Sequence, residues 1–127
     1  MVNRAGDWLR QAKEDLKWAK DSLSAGYYSQ TCFVSQQIGE KVLKAIALNR
    51  GYVQIRSHSM LEIARLLKID GDIEAIAMRL DQYYIASRYP DAFPSGAPFE
   101  YFTKSQVQEA FSFAERLVSF GETQIAE

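Results

Sequence analysis

Two groups of side chains in this sequence could engage a ligand. The first is Arg88, with Tyr84, Tyr89 and Asp91 around it, at the head of SRYPDAFPSGAPFEYFT, residues 87–103, a segment that holds all three prolines. A guanidinium presents planar paired donors and cannot lose its charge, so at the margin of a buried face it needs a carboxylate or a phosphate. Asp81 or Asp91 would meet that need internally and close a helix end; a phosphorylated ligand would meet it from outside, with Tyr84 or Tyr89 stacking on a base. The second group is Gln37, Glu40, Lys41 and Lys44. Its two ammonium groups either pair with Glu40 on a solvated face or add positive charge beside Arg88.

Other chemistries fail on spacing. No Glu stands three residues before His58, the single histidine, which removes a Glu-x-x-His di-iron site. One cysteine, Cys32, and one histidine make no soft-ligand cluster for zinc, so no metal or other cofactor is expected. Cys32 reads as a small buried thiol. Neither G-x-x-x-x-G-K-[ST] nor G-x-G-x-x-G occurs, and no nucleophile elbow accompanies His58, which at a helix start reads as a polar cap or a carboxylate partner. Fifteen basic against sixteen acidic residues give a net charge of −1, so any nucleic-acid contact must be local. No window is apolar enough to cross a bilayer and no leader-like apolar stretch opens the chain, so a cytoplasmic location is expected.

The elements that must position these groups follow from period. Ala5, Trp8, Leu9, Ala12, Leu16, Ala19 and Leu23 form one stripe of a helix from Asn3 to about Ala25, with Trp18 projecting away from it, as a half-covered surface residue or an interface anchor. From Ser29 to Asn49 the apolar arc of Val34, Ile38, Val42, Ala45 and Ile46, widened by Cys32 and Leu43, exceeds half the circumference, which marks a central helix. Ser35 and Gly39 inside that arc let another backbone approach, while Gln36, Gln37, Glu40, Lys41 and Lys44 keep to a narrow polar strip. After a connector of about eight residues, Ser59 and Glu62 predict a capping box for a short third helix. Asp72 is expected to cap a fourth, running through Ile73, Ile76, Ala77, Leu80, Tyr83 and Tyr84 toward Arg88, where Pro90 stops it at Tyr89. The last helix begins at Thr103, with Gln106 as capping-box partner, and runs to about Phe120; Phe113 and Phe120 fill a groove between helices or meet a second subunit. The expected fold is all-α: one domain over residues 1–127, an antiparallel up-and-down bundle of four main helices and one short one.

Nearly the whole sequence resembles the HEPN family, the domain found in higher eukaryotes and prokaryotes and described as nucleotide binding. The resemblance centres on GYYSQTCFVSQQIGEKVLKA, where a Gly-Tyr helix start, Gln-Gln and Glu-Lys-x-Leu-Lys-Ala stand in register, followed by HSMLEIARLL and SRYPDA. It implies an up-and-down bundle that forms a homodimer, and a pairing with a minimal nucleotidyltransferase in a two-component system. Members that cleave RNA are similar to one another in an Arg-x(4–6)-His motif near the end of the fourth helix. Arg88 matches that arginine, but the three positions open to the histidine hold Phe93, Pro94 and Ser95. A tyrosine two places beyond the motif histidine, which some members use to accept nucleotidyl groups, is also unmatched, although Tyr89 and Tyr101 are near.

Metal-independent RNA cleavage needs a group that moves a proton near neutral pH, which imidazole does and guanidinium does not. The expectation is therefore a non-catalytic companion or substrate-binding subunit of a nucleotidyltransferase. It would bind a nucleotide or other phosphorylated ligand beside Arg88, with Tyr84, Tyr89, Asp91, Gln37, Lys41 and Lys44 around it. RNA is a less favoured ligand. The alternatives are a ribonuclease toxin of a toxin–antitoxin pair, using Arg88 with His58 or Tyr89, and an interaction module whose Trp18 and Phe113/Phe120 surfaces only join partners.

Overall fold

The computed structural model describes residues 3–125, all in helices, turns or irregular connections, with no strand among them. The segments are α1 (Ala5–Ser24), α2 (Tyr28–Asn49), α3 (Met60–Leu66), α4 (Asp72–Asp81), α5 (Tyr83–Ala86) and α6 (Lys104–Gln124), with 3₁₀ turns at Pro90–Ala92 and Pro98–Glu100. This is an antiparallel up-and-down bundle. α2 lies at its centre, packed against α1 and α6 along its length and against α3, α4 and α5 on the remaining side. Its wide apolar arc is the cause: Cys32, Ile38, Val42, Leu43, Ala45 and Ile46 are all fully buried.

Close packing at α2 depends on Gly39. A methyl group there would lie 2.8 Å from Leu117 Cδ1 and overlap the end of Met60, so α3 and α6 reach the α2 backbone only because no side chain intervenes. Gly121 of α6 does the same against Val42 and Leu9. Trp18 does project away from the α1 stripe and is 61% exposed. Phe113 and Phe120 are half-buried against the core, with Arg79 Cζ 5.8 Å above one ring and Arg116 Cζ 5.9 Å above the other. Arg79 sets Phe113 beside α4, whose first residue, Asp72, pairs with Arg116 at 2.9 Å.

The helix ends differ from what the sequence predicts in four places. The fourth helix is interrupted at Gln82, where a 3.3 Å bond from its N–H to the Arg79 carbonyl tightens the turn, and α5 ends at Ala86 rather than at Tyr89. Asp72 is the first helical residue and not the cap, because Gly71, at φ 70°, takes the cap position in a conformation a side chain would resist. α6 continues one turn past Phe120 to Gln124. The box at Thr103 and Gln106 is complete, whereas at Ser59 only half forms: Ser59 Oγ accepts from Glu62 N at 3.2 Å, and the Glu62 carboxylate accepts from Ser57 Oγ instead.

Candidate functional site: an aromatic cradle around Arg88

α2 and the end of α5 converge on Arg88. Its Cζ lies 4.5 Å from the ring centre of Phe33, 4.7 Å from Tyr84 and 4.8 Å from Tyr89, and its Nε donates to the Tyr84 carbonyl at 3.0 Å. The negative ring faces stabilise the cation, by about 0.5–2 kcal/mol each, without occupying its in-plane donors. No carboxylate lies within ion-pair distance of Arg88 among the described residues, and its terminal nitrogens donate to nothing there. The cradle thus holds the guanidinium by its faces and its Nε, and among the described residues its terminal N–H groups are left unmet. Those donors suit a phosphate or carboxylate from outside the chain.

The internal bridges do not form. Asp81 instead caps α3, accepting from Ser59 Oγ at 3.0 Å, Met60 N at 2.8 Å and Leu61 N at 3.0 Å. Asp91 sits exposed in the Pro90–Ala92 turn and pairs with no cation among the described residues. Position 93, where a motif histidine could stand, is structural: Phe93 stacks on Tyr101 at 4.0 Å and meets Phe102 edge-on. With Glu100 Oε1 accepting from Ala97 N at 3.0 Å and the Tyr101 hydroxyl donating to the Ser95 carbonyl, the segment between α5 and α6 folds on its own side chains.

The polar strip of α2 does not join Arg88. Lys41 pairs with Asp15 of α1, and Gln37 donates to Gln36 Oε1 at 2.6 Å. Lys44 pairs at 3.0 Å with Glu40, and both are buried, as is Gln36. Lys44 is eleven residues beyond Phe33, about 16 Å along the helix. It lines a separate cleft of about 620 Å³ with Trp8 and Tyr52. The strip is therefore not a solvated face: the 50–59 connector lies over it, with the His58 carbonyl accepting from Gln36 Nε2 at 3.4 Å and His58 Nδ1 3.3 Å from Glu40 Oε2. His58 also stacks on Tyr84, with ring centres 5.4 Å apart, so the imidazole and Arg88 share one phenol ring.

Beside the cradle, Arg88 lines an open groove of about 410 Å³ with Trp18, Phe33 and Phe99. Phe33 and Phe99 are missing from the sequence expectation. The outward Trp18 was the one visible signal that the first helix contributes to this side. Burial pushes the Cys32 thiol up to about 12 and raises the Tyr83 phenol above its ordinary value, the latter helped by Cys32 itself. Neither ionises near neutral pH, so neither supplies a nucleophile here.

The comparisons with known proteins agree with this architecture. The HEPN domain matches residues 5–124. The crystal structure of TT1696 from Thermus thermophilus superimposes with a TM-score of 0.91 at 39% identity, covering 98% of this chain and 100% of that one. That of ST0689, described as an archaeal HEPN homologue, does so at 0.85 and 38%, again over 98% and 100%. A Methanocaldococcus jannaschii protein named "Putative toxin MJ1304" is 27% identical over 87% of this chain and 81% of its own length. Among the described residues, no helix is long and apolar enough to cross a membrane.

Proposed function

The chain belongs to the HEPN domain family, and from that premise we propose that it holds a nucleotide or another phosphorylated ligand at Arg88. In this reading it serves, as a homodimer, as the companion or substrate-binding subunit of a minimal nucleotidyltransferase. One observation carries it: a guanidinium held by three aromatic faces, with its terminal N–H groups unmet and no carboxylate beside it among the described residues. The ribonuclease motif itself supplies no base, because Phe93 packs on Tyr101 and is followed by Pro94 and Ser95. Calorimetric titration with nucleoside monophosphates tests the reading. Arg88→Ala is expected to weaken binding roughly 10- to 100-fold, the worth of a charge-assisted hydrogen bond. Equal affinity in the two proteins would sink the site.

A second reading, a ribonuclease toxin of a two-component pair, is favoured by the position of His58. The imidazole absent from positions 93 to 95 has a counterpart on the same tyrosine ring as Arg88, with Nδ1 directed at a buried carboxylate, which leaves Nε2 to accept a proton. The relative named as a toxin points the same way. Incubating the purified protein with single-stranded and structured RNA decides it. This reading expects metal-independent cleavage that falls at least 100-fold in both His58→Ala and Arg88→Ala; intact RNA, or cleavage indifferent to both substitutions, excludes it.

A further inference from the structure

The two most exposed Trp, Tyr or Phe rings among the described residues, Phe99 at 67% and Trp18 at 61%, line one groove, although they come from opposite ends of the chain. A single exposed ring is ordinary on a protein surface; two on one concave surface mark something that covers them. Trp18 stands on the outward side of α1. Phe99 is presented by the Pro98–Glu100 turn, whose Pro98 is buried and whose Glu100 is tied back to Ala97. The ring is therefore held out by a folded segment and does not hang from a loose one.

The charge in the groove limits what can fill it. Arg88 is the lone charged residue among those lining it, and its donor edge is unmet among the described residues. Ser29 Oγ donates to Gln30 Oε1 at 3.1 Å, which leaves the Gln30 amide N–H groups to donate elsewhere. The surface thus combines flat apolar rings, one amide donor and one cation, within about 410 Å³, inside the usual range for small-ligand pockets. Tyr84 and Tyr89, which the sequence suggested as stacking platforms, each lie against the guanidinium.

We infer that the groove takes one nucleotide with an unpaired base: the base lies against Trp18 and Phe99, Gln30 reaches its edge or its ribose, and the phosphate meets Arg88. The inference rests on reading Arg88 as the phosphate anchor and adds the base to it. A free mononucleotide and the terminal nucleotide of a single strand present this same chemistry.

The test compares adenosine 5′-monophosphate, ribose 5-phosphate and a 5′-phosphorylated single-stranded pentaribonucleotide, titrated calorimetrically against wild type, Arg88→Ala, Trp18→Ala and Phe99→Ala. Both aromatic residues are largely solvent-exposed, and an unchanged melting temperature verifies that their variants fold. The expected result is that either aromatic substitution weakens the mononucleotide or the pentanucleotide roughly tenfold, the scale of one base–aromatic stack, and leaves ribose 5-phosphate unaffected. Arg88→Ala weakens all three. Binding of the mononucleotide assigns the site to free nucleotides; binding of the pentanucleotide alone assigns it to strand ends. If the base adds nothing over ribose 5-phosphate, or Trp18→Ala and Phe99→Ala bind as wild type does, the base site is wrong while the Arg88 anchor stands. If Arg88→Ala changes nothing, the anchor itself is wrong. If no probe binds and Trp18→Ala instead dissociates a dimer in sedimentation, the groove is a subunit interface and the inference is overturned.

Discussion

Glu40→Ala will lower the free energy of unfolding by about 3–5 kcal/mol, the usual cost of removing one partner from a buried ion pair. The Glu40 and Lys44 side chains are 8% and 11% exposed, and their atoms meet at 3.0 Å one turn apart on α2. Without the carboxylate, the ammonium stays in a low-dielectric site with no compensating charge. Gln36 Nε2 and His58 Nδ1, at 3.5 Å and 3.3 Å from the same carboxylate, lose an acceptor as well. Lys44 also borders the cleft beside Trp8 and Tyr52, through which its stem can turn toward water, so the lower half of the range is expected. Urea denaturation of Glu40→Ala and of Glu40→Leu/Lys44→Leu separates the causes. The double variant removes both charges and restores apolar volume, and should recover most of the loss. A single-variant loss below about 1 kcal/mol would mean the pair is solvated and contributes as little as a surface pair does.

The polar side of α2 is where the sequence says least about the fold. Periodicity identified the stripe of α1, the central place of α2, the need for a small residue at Gly39 and the Thr103 cap, because each of these is local to one helix. It could not show what lies over the polar side of α2. Residues 50–59 have no helical apolar period, only the brief alternation of Val53 and Ile55, so nothing in their order shows that they fold back and bury Gln36, Glu40 and Lys44. The same holds at the site. Arg88 is legible in the sequence as a cation at the margin of the buried face, with Asp81, Asp91 or an outside phosphate as its partner. That Phe33 of α2 would form one wall of its cradle, and Phe99 one wall of the groove beside it, depends on how α2 packs against the segment that follows α5. A carboxylate competing for Arg88 was also assigned from spacing alone, and tertiary packing directed Asp81 elsewhere.

Asp81→Ala is expected to cost about 2–3 kcal/mol, because one carboxylate meets three donors at the start of α3. α3 has seven residues, too few to persist alone, so its first turn depends on this cap and on the burial of Met60, Ile63 and Ala64. The cap comes from the last residue of α4, so it also fixes where α3 and α4 meet. Asp81→Asn keeps one neutral acceptor oxygen but sets its NH2 where the second oxygen accepted, so it should recover only part of the loss. Thermal or urea unfolding of the pair gives the comparison. The consequence for the site can be read in the same proteins: Asp81 does not neutralise Arg88, so Asp81→Asn should bind nucleotide within about twofold of wild type, against the ~10- to 100-fold loss expected from Arg88→Ala. A marked gain in affinity in Asp81→Asn would mean that the carboxylate had been competing for the guanidinium after all. Among the described residues the terminal N–H groups of Arg88 stay unmet: Asp81 is committed to the cap of another helix, and Asp91 lies exposed in the turn that follows.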